Sequence, residues 1–110
     1  MQLAPEYQVN IQGLHPIMRR PLKTAEKIWK AHGRPEGVTI TAGLNGVHSA
    51  GSWHYCGCAV DLRNNYFNAV EKRQVFEELK AALPEYDVIG HSTHIHIEPS
   101  DSLAEKWRLI

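Results

Sequence analysis

The stretch "THIHIEP", Thr93 to Pro99, constrains this chain more than any other. In an extended backbone successive side chains point to opposite faces, so His94, His96 and Glu98 share one face while Ile95 and Ile97 share the other. Such a strand needs a sheet with one side covered by a core and the other left polar. "YDVIG", just upstream, is a second β-like run close enough to pair with it as a neighbour.

The other elements follow from periodicity and breakers. From Pro21 to His32, Leu22, Ala25, Ile28 and Trp29 recur at helical spacing, and "GRPEG" ends the run. "VTITAG" alternates β-branched residues and stops at glycine, as a strand does. The glycine-rich "LNGVHSAGSWHYCG" reads as a loop and "CAVDL" as a short buried strand. A second helix starts after Asn68, its N-cap, with Glu71 three residues on as capping partner. Val70, Phe76, Leu79 and Leu83 are its expected apolar stripe, and Pro84 stops it. The tail "SDSLAEKWRLI" forms a last short helix capped by Ser100 or Asp101. With 110 residues, 43% of them hydrophobic, the chain suits one domain with a single core. The expectation is one α+β domain over 1–110, a mostly antiparallel sheet with flanking helices.

Seven histidines occur, and most fall in two clusters, His48 to His54 and His91 to His96. Zinc is held by histidine nitrogen, cysteine sulfur or carboxylate oxygen, and a catalytic site supplies three protein ligands with a fourth position left for water. His54, Asp61 and His96 would make such a set. Gly57, between the first two, fits a tight turn that needs positive φ or close backbone approach.

"SWHYCGCAVDL" resembles the Ser-x-His-x-x-Gly-x-Ala-x-Asp motif of the zinc D-alanyl-D-alanine carboxypeptidase and murein endopeptidase family, many of whose members are phage lysins. "HIH" resembles that family's second signature, in which the later histidine binds metal. The resemblance runs from about Val38 to Glu98. It implies a single Zn2+ held by His54, Asp61 and His96, His94 near the water, and a peptidoglycan peptide as substrate, with Ser52 of the first motif at the substrate. "GVHSAGSWHYCGCAVDL" with "THIHI" also resembles the zinc site of the hedgehog signalling domain, which shares this fold. That likeness includes a histidine six positions before the first ligand, here His48, expected to face substrate.

The chain departs from the family pattern at two points. Where the peptidases place an acidic general base, three residues before the last ligand, stands Thr93, and the hedgehog-like alternative six residues before it is Gly90. His91, Glu98 or His94 itself is then left to take the proton from water. Where the family tends to carry an arginine for the substrate carboxylate, "TAGLNG" offers Asn45, which favours cleavage within a stem or cross-link over removal of a terminal D-alanine. Tyr55, beside the first ligand, is a further candidate for substrate contact. The non-catalytic alternative is a zinc-stabilised binding or structural domain of the same fold.

Twelve basic residues balance twelve acidic ones. A neutral chain without a basic stripe or polybasic patch is not expected to bind nucleic acid or an anionic membrane, and a monomer is expected. No basic segment followed by an apolar run opens the chain, so cytoplasmic synthesis is expected, with release to the wall by phage lysis or carriage in a phage particle. Cys56 and Cys58 are too close to staple a long loop and are read as reduced thiols, Cys58 packing as a small apolar residue. Trp29 and Phe76 are expected in the core, and His15 and His32 at solvated surface positions.

Overall fold

The computed structural model describes residues 1–43 and 57–109. Among them five strands form one sheet in the order β1-β2-β3-β5-β4. These are β1 (Gln2–Leu3), β2 (Thr39–Ala42), β3 (Val60–Arg63), β4 (Tyr86–Gly90) and β5 (His94–Pro99). Only β1 and β2 run parallel; the β2-β3, β3-β5 and β5-β4 pairs are antiparallel. Three helices accompany the sheet: α1 (Arg19–Ala31), α2 (Ala69–Ala82) and α3 (Asp101–Lys106). The protein is thus a small α+β domain with a mostly antiparallel sheet.

All three helices contribute to one core on a single face of the sheet. Ala25 and Trp29 of α1, Val75 and Leu79 of α2 and Leu103 of α3 pack with Ile40, Val60, Leu62, Val88, Ile95 and Ile97 from the strands. Burial alternates strictly along β5, as its sequence predicts: Ile95 and Ile97 are buried, while His94, His96 and Glu98 are partly exposed. Trp29, fully buried, also ties α1 to the end of β3, because its Nε1 donates to the Tyr66 hydroxyl at 3.0 Å and to the Arg63 carbonyl at 3.3 Å.

Several boundaries differ from the sequence reading. The first helix begins at Arg19, two residues before Pro21, which its first turn tolerates because no intrahelical partner awaits a proline nitrogen there. β3 starts at Val60 rather than Cys58, although Cys58 is buried as expected. The capping box of α2 forms in both directions: Asn68 Oδ1 accepts from the Glu71 N–H at 2.8 Å, and Glu71 accepts from the Asn68 N–H at 3.3 Å. Its apolar stripe is corrected. Val70 lies 66% exposed and Phe76 is only partly buried, while Val75, Leu79 and Leu83, spaced four apart, form the buried line. Positions 70 and 76 lie on different sides of a 3.6-residue helix from that line. The tail helix is capped by Ser100, whose Oγ accepts from the Leu103 N–H at 3.2 Å.

His15 and His32 are partly buried and have partners, rather than being fully solvated. Nδ1 of His15 accepts from the Ile17 N–H at 3.1 Å, at the start of a single-turn helix, and its ring meets Trp107 edge-on at 5.5 Å. His32, at the end of α1, pairs with Glu78 of α2.

Candidate functional site

Opposite the core, β3 and β5 present polar side chains in register. Asp61 is the direct partner of His96, and Arg63 of His94. Direct partners on an antiparallel pair share a face with Cβ atoms about 5 Å apart, so the alternation within each strand and the pairing between them together assemble the cluster. His96 lies at its centre. Its Nδ1 donates to Asp61 Oδ1 at 2.8 Å and its Nε2 to Glu98 Oε1 at 2.7 Å. Burial of the ring works against its charge. The hydrogen bonds to the two carboxylates, and their negative charges, outweigh that effect and raise the His96 pKa above its ordinary value.

His94 Nε2 stands 3.9 Å from Asp61 Oδ2, and Thr93 Oγ1 lies 3.2 Å from His94 Nδ1. The His91 ring stacks on that of His94, with centroids 4.6 Å apart. Asp61, His94 and His96 have further interactions beyond these. The three-residue connection between β4 and β5 is clamped from the chain that follows β3. Asn64 Nδ2 donates to the His91 carbonyl at 3.2 Å, Lys72 Nζ to that of Ser92 at 2.9 Å, and the Asn64 N–H to that of Thr93 at 3.1 Å.

Gly57, just before β3, has the positive φ expected of it, +77°. A Cβ there would also meet the Gly13 carbonyl at 2.6 Å, and the Gly57 carbonyl accepts from the His15 N–H at 2.8 Å. Both reasons for a glycine, conformation and close approach, therefore hold at this position. On the other side of β3 the ladder to β2 carries an irregularity. Ile40 faces Leu62 but Ala42 faces Asp61, leaving Thr41 as an extra residue beside the cluster.

The structure brings together Asp61, His94, His96, Glu98 and His91 from the sequence-predicted set. His54, His48, Ser52, Asn45 and Tyr55, with Cys56, lie outside the described residues. Among the described residues no group of three or more His, Cys, Asp or Glu side chains is placed to hold a metal ion, and no helix is long and apolar enough to cross a membrane. Asp61 and His96, two of the three expected ligands, do lie side by side. A carboxylate and an imidazole meeting at 2.8 Å are donors that suit zinc, and Glu98 on the other ring nitrogen is the kind of outer carboxylate that orients a ligating histidine.

Beside this cluster lies a cleft of about 320 Å³ whose lining includes Tyr7, Thr41, Asp61, Arg63, Thr93 and His94. Sequence reasoning missed Arg63, although its place two residues after Asp61 on a strand already puts both on one face. Tyr7 belongs to a single-turn helix, Pro5–Tyr7, which gives no periodic signal. Comparison of the chain with protein-family models, with curated proteins and with solved structures returns no match.

Proposed function

We propose that the chain is a zinc-dependent metallopeptidase acting on peptidoglycan peptides, stem or cross-link, in a domain of the hedgehog and D-Ala-D-Ala peptidase type. The observation that carries this reading is His96 held between Asp61 and Glu98 on the open face of the sheet. Asp61 and His96 would hold the metal together with His54. When bound, zinc supplies a Lewis acid for the amide carbonyl and makes water a nucleophile at neutral pH.

The chain's own residues do the rest. Glu98 is engaged by His96 Nε2, so its role is to fix the ring rather than to act as the base. His94, backed by His91 and with the Thr93 hydroxyl near its Nδ1, is the group placed to hold and pass a proton at Nε2. His48, Ser52, Asn45 and Tyr55 are assigned to the substrate from their place in the motif. On this reading the protein acts as a monomer, made in the cytoplasm and either released to the wall on phage lysis or carried in a phage particle.

One observation favours a second reading, a zinc-stabilised domain without hydrolysis: positions 90 and 93 carry no acid, and Glu98 is committed to His96. Amine release from purified peptidoglycan separates the two. The peptidase reading expects release that stops on chelation and returns with zinc; no release by zinc-loaded protein leaves the non-catalytic domain.

A further inference from the structure

β4 is an outer strand of the sheet, and no strand among the described residues takes its outer side. The ladder with β5 decides which backbone groups that side carries. The His91 N–H donates to the His94 carbonyl and the Ser100 N–H to the Glu85 carbonyl, bonded pairs that bracket the β4-β5 register. Bonded and non-bonded pairs alternate along an antiparallel ladder, so Asp87 and Ile89 also bond to β5. Val88 and Gly90 therefore turn both N–H and C=O outward.

Sheet edges are normally protected by lysine, proline, a bulge, a covering segment or very short length. The opposite edge, β1, is two residues long. β4 runs five residues in unbroken register, "YDVIG", with neither lysine nor proline. Ile89, 45% exposed, stands on the open face directly beside His96. The one charge on the strand, Asp87, is exposed on that face opposite a like charge, Glu98, and no cation among the described residues pairs with it. His91 follows on the same face, its ring stacked on His94.

An edge of this pattern is complementary to itself. With a second copy antiparallel and Ile89 facing the partner's Ile89, Val88 and Gly90 bond to the partner's Gly90 and Val88. Asp87 then comes opposite the partner's His91, and two-fold symmetry repeats the match. An imidazole set against a carboxylate has a donor for it in either protonation state. A shift of two residues either way loses both matches, because it sets Asp87 or His91 against the partner's Ile89.

We propose that two copies of this chain pair edge to edge through β4 in that register, joining their sheets into one. A joint of one short strand lies below the size of a stable dimer, so pairing is weak, with a Kd on the order of 100 µM, and a dilute solution holds single chains. Each copy keeps its own Asp61–His96 pair, so the acting unit is still one chain. At the usual spacing of neighbouring strands, the His96 rings of the two copies stand in line about 14 Å apart on the same open face. Such a pair sets two units side by side for a repetitive polymer. That consequence rests on the peptidase reading; the pairing does not.

Sedimentation equilibrium of the full chain from about 10 µM to about 1 mM tests the joint, with amide NMR shifts followed over the same range and amine release from peptidoglycan measured in parallel. The expected result is a reversible rise to the mass of two chains, with shifts centred on Val88, Ile89 and Gly90. Ile89→Lys brings two like charges together at the two-fold axis and weakens pairing at least about tenfold. Asp87→Lys weakens it about three- to tenfold, and adding His91→Asp to Asp87→Lys restores it. A single-chain mass at the highest concentration overturns the proposal, as do growth past two chains, shifts centred on another surface, or pairing that Ile89→Lys leaves unchanged. If Ile89→Lys does not fold, the charge swap decides: a double variant that stays as weak as Asp87→Lys overturns it. Pairing without hydrolysis by zinc-loaded protein keeps the joint and overturns the peptidase. Hydrolysis by a chain that never pairs keeps the peptidase and overturns the joint.

Discussion

Replacing Asn64 by Ala tests how the structure holds the turn that carries His91, Thr93 and His94. Asn64 is 4% exposed, and its side chain does one thing for the turn: Nδ2 donates to the His91 carbonyl at 3.2 Å. Its backbone makes two further links, to the Thr93 carbonyl and from the Phe67 N–H, which alanine keeps. Losing the side-chain bond costs about 0.5–1.5 kcal/mol, and stranding a buried acceptor would add about 1–3 kcal/mol. Two facts pull the sum to the low end. His91 is exposed, so water can reach its carbonyl, and Asn64 Oδ1 is itself a buried acceptor without a partner, whose removal relieves a cost.

The expected loss for Asn64→Ala is about 1 kcal/mol, read as a fall of roughly 4 °C in Tm. Faster exchange should appear at the His91 N–H, which donates to the His94 carbonyl at 2.9 Å across the same turn. Asn64→Asp keeps the shape but turns an acceptor toward the His91 carbonyl, so its loss should exceed that of alanine. An alanine variant with unchanged Tm and unchanged exchange at His91 would refute the clamp.

Three further outcomes follow from the same geometry. Glu98→Gln removes one of the two charges holding His96, so the imidazole pKa followed by NMR in metal-free protein should fall, and zinc affinity should drop about 10- to 100-fold; an unchanged pKa would remove Glu98 from its orienting role. Because folding raises the His96 pKa above 6.5, its charged form adds stability to metal-free protein that is fully present below that value and is lost as pH rises through the higher folded pKa. Urea midpoints should therefore decline across that window, a decline absent from His96→Gln. Ile97→Ala empties a fully buried site opposite Val60 and Val88 and should cost about 2–5 kcal/mol in urea unfolding; a cost well under 1 kcal/mol would contradict the packed core face.

Much of the sheet is legible in the sequence because its signal is local. The two-residue period of "HIHIE" places Ile95 and Ile97 in the core and His94, His96 and Glu98 opposite, and the capping residues of α2 name its start. The pairing of Asp61 with His96 is a register fact that periodicity alone does not supply, since it depends on how β3 and β5 slide past each other. The stripe of α2 misleads because Val70 is apolar but lies in the first turn, on the solvent side, where the capping box fixes the helix whatever that side chain buries. β1 is two residues long, too short for any period, and its parallel pairing with β2 is a long-range contact. The two histidines outside the clusters show the same limit: the partners of His15 and His32, Trp107 and Glu78, are distant in the chain and only the fold supplies them.

The metal content of the protein tests the central claim most directly. Protein purified without chelator should hold one zinc per chain, and His54→Ala, Asp61→Ala and His96→Ala should each lose it while keeping native circular dichroism. Purified protein without stoichiometric metal, or an Asp61→Ala variant that keeps the full amount, would contradict the account.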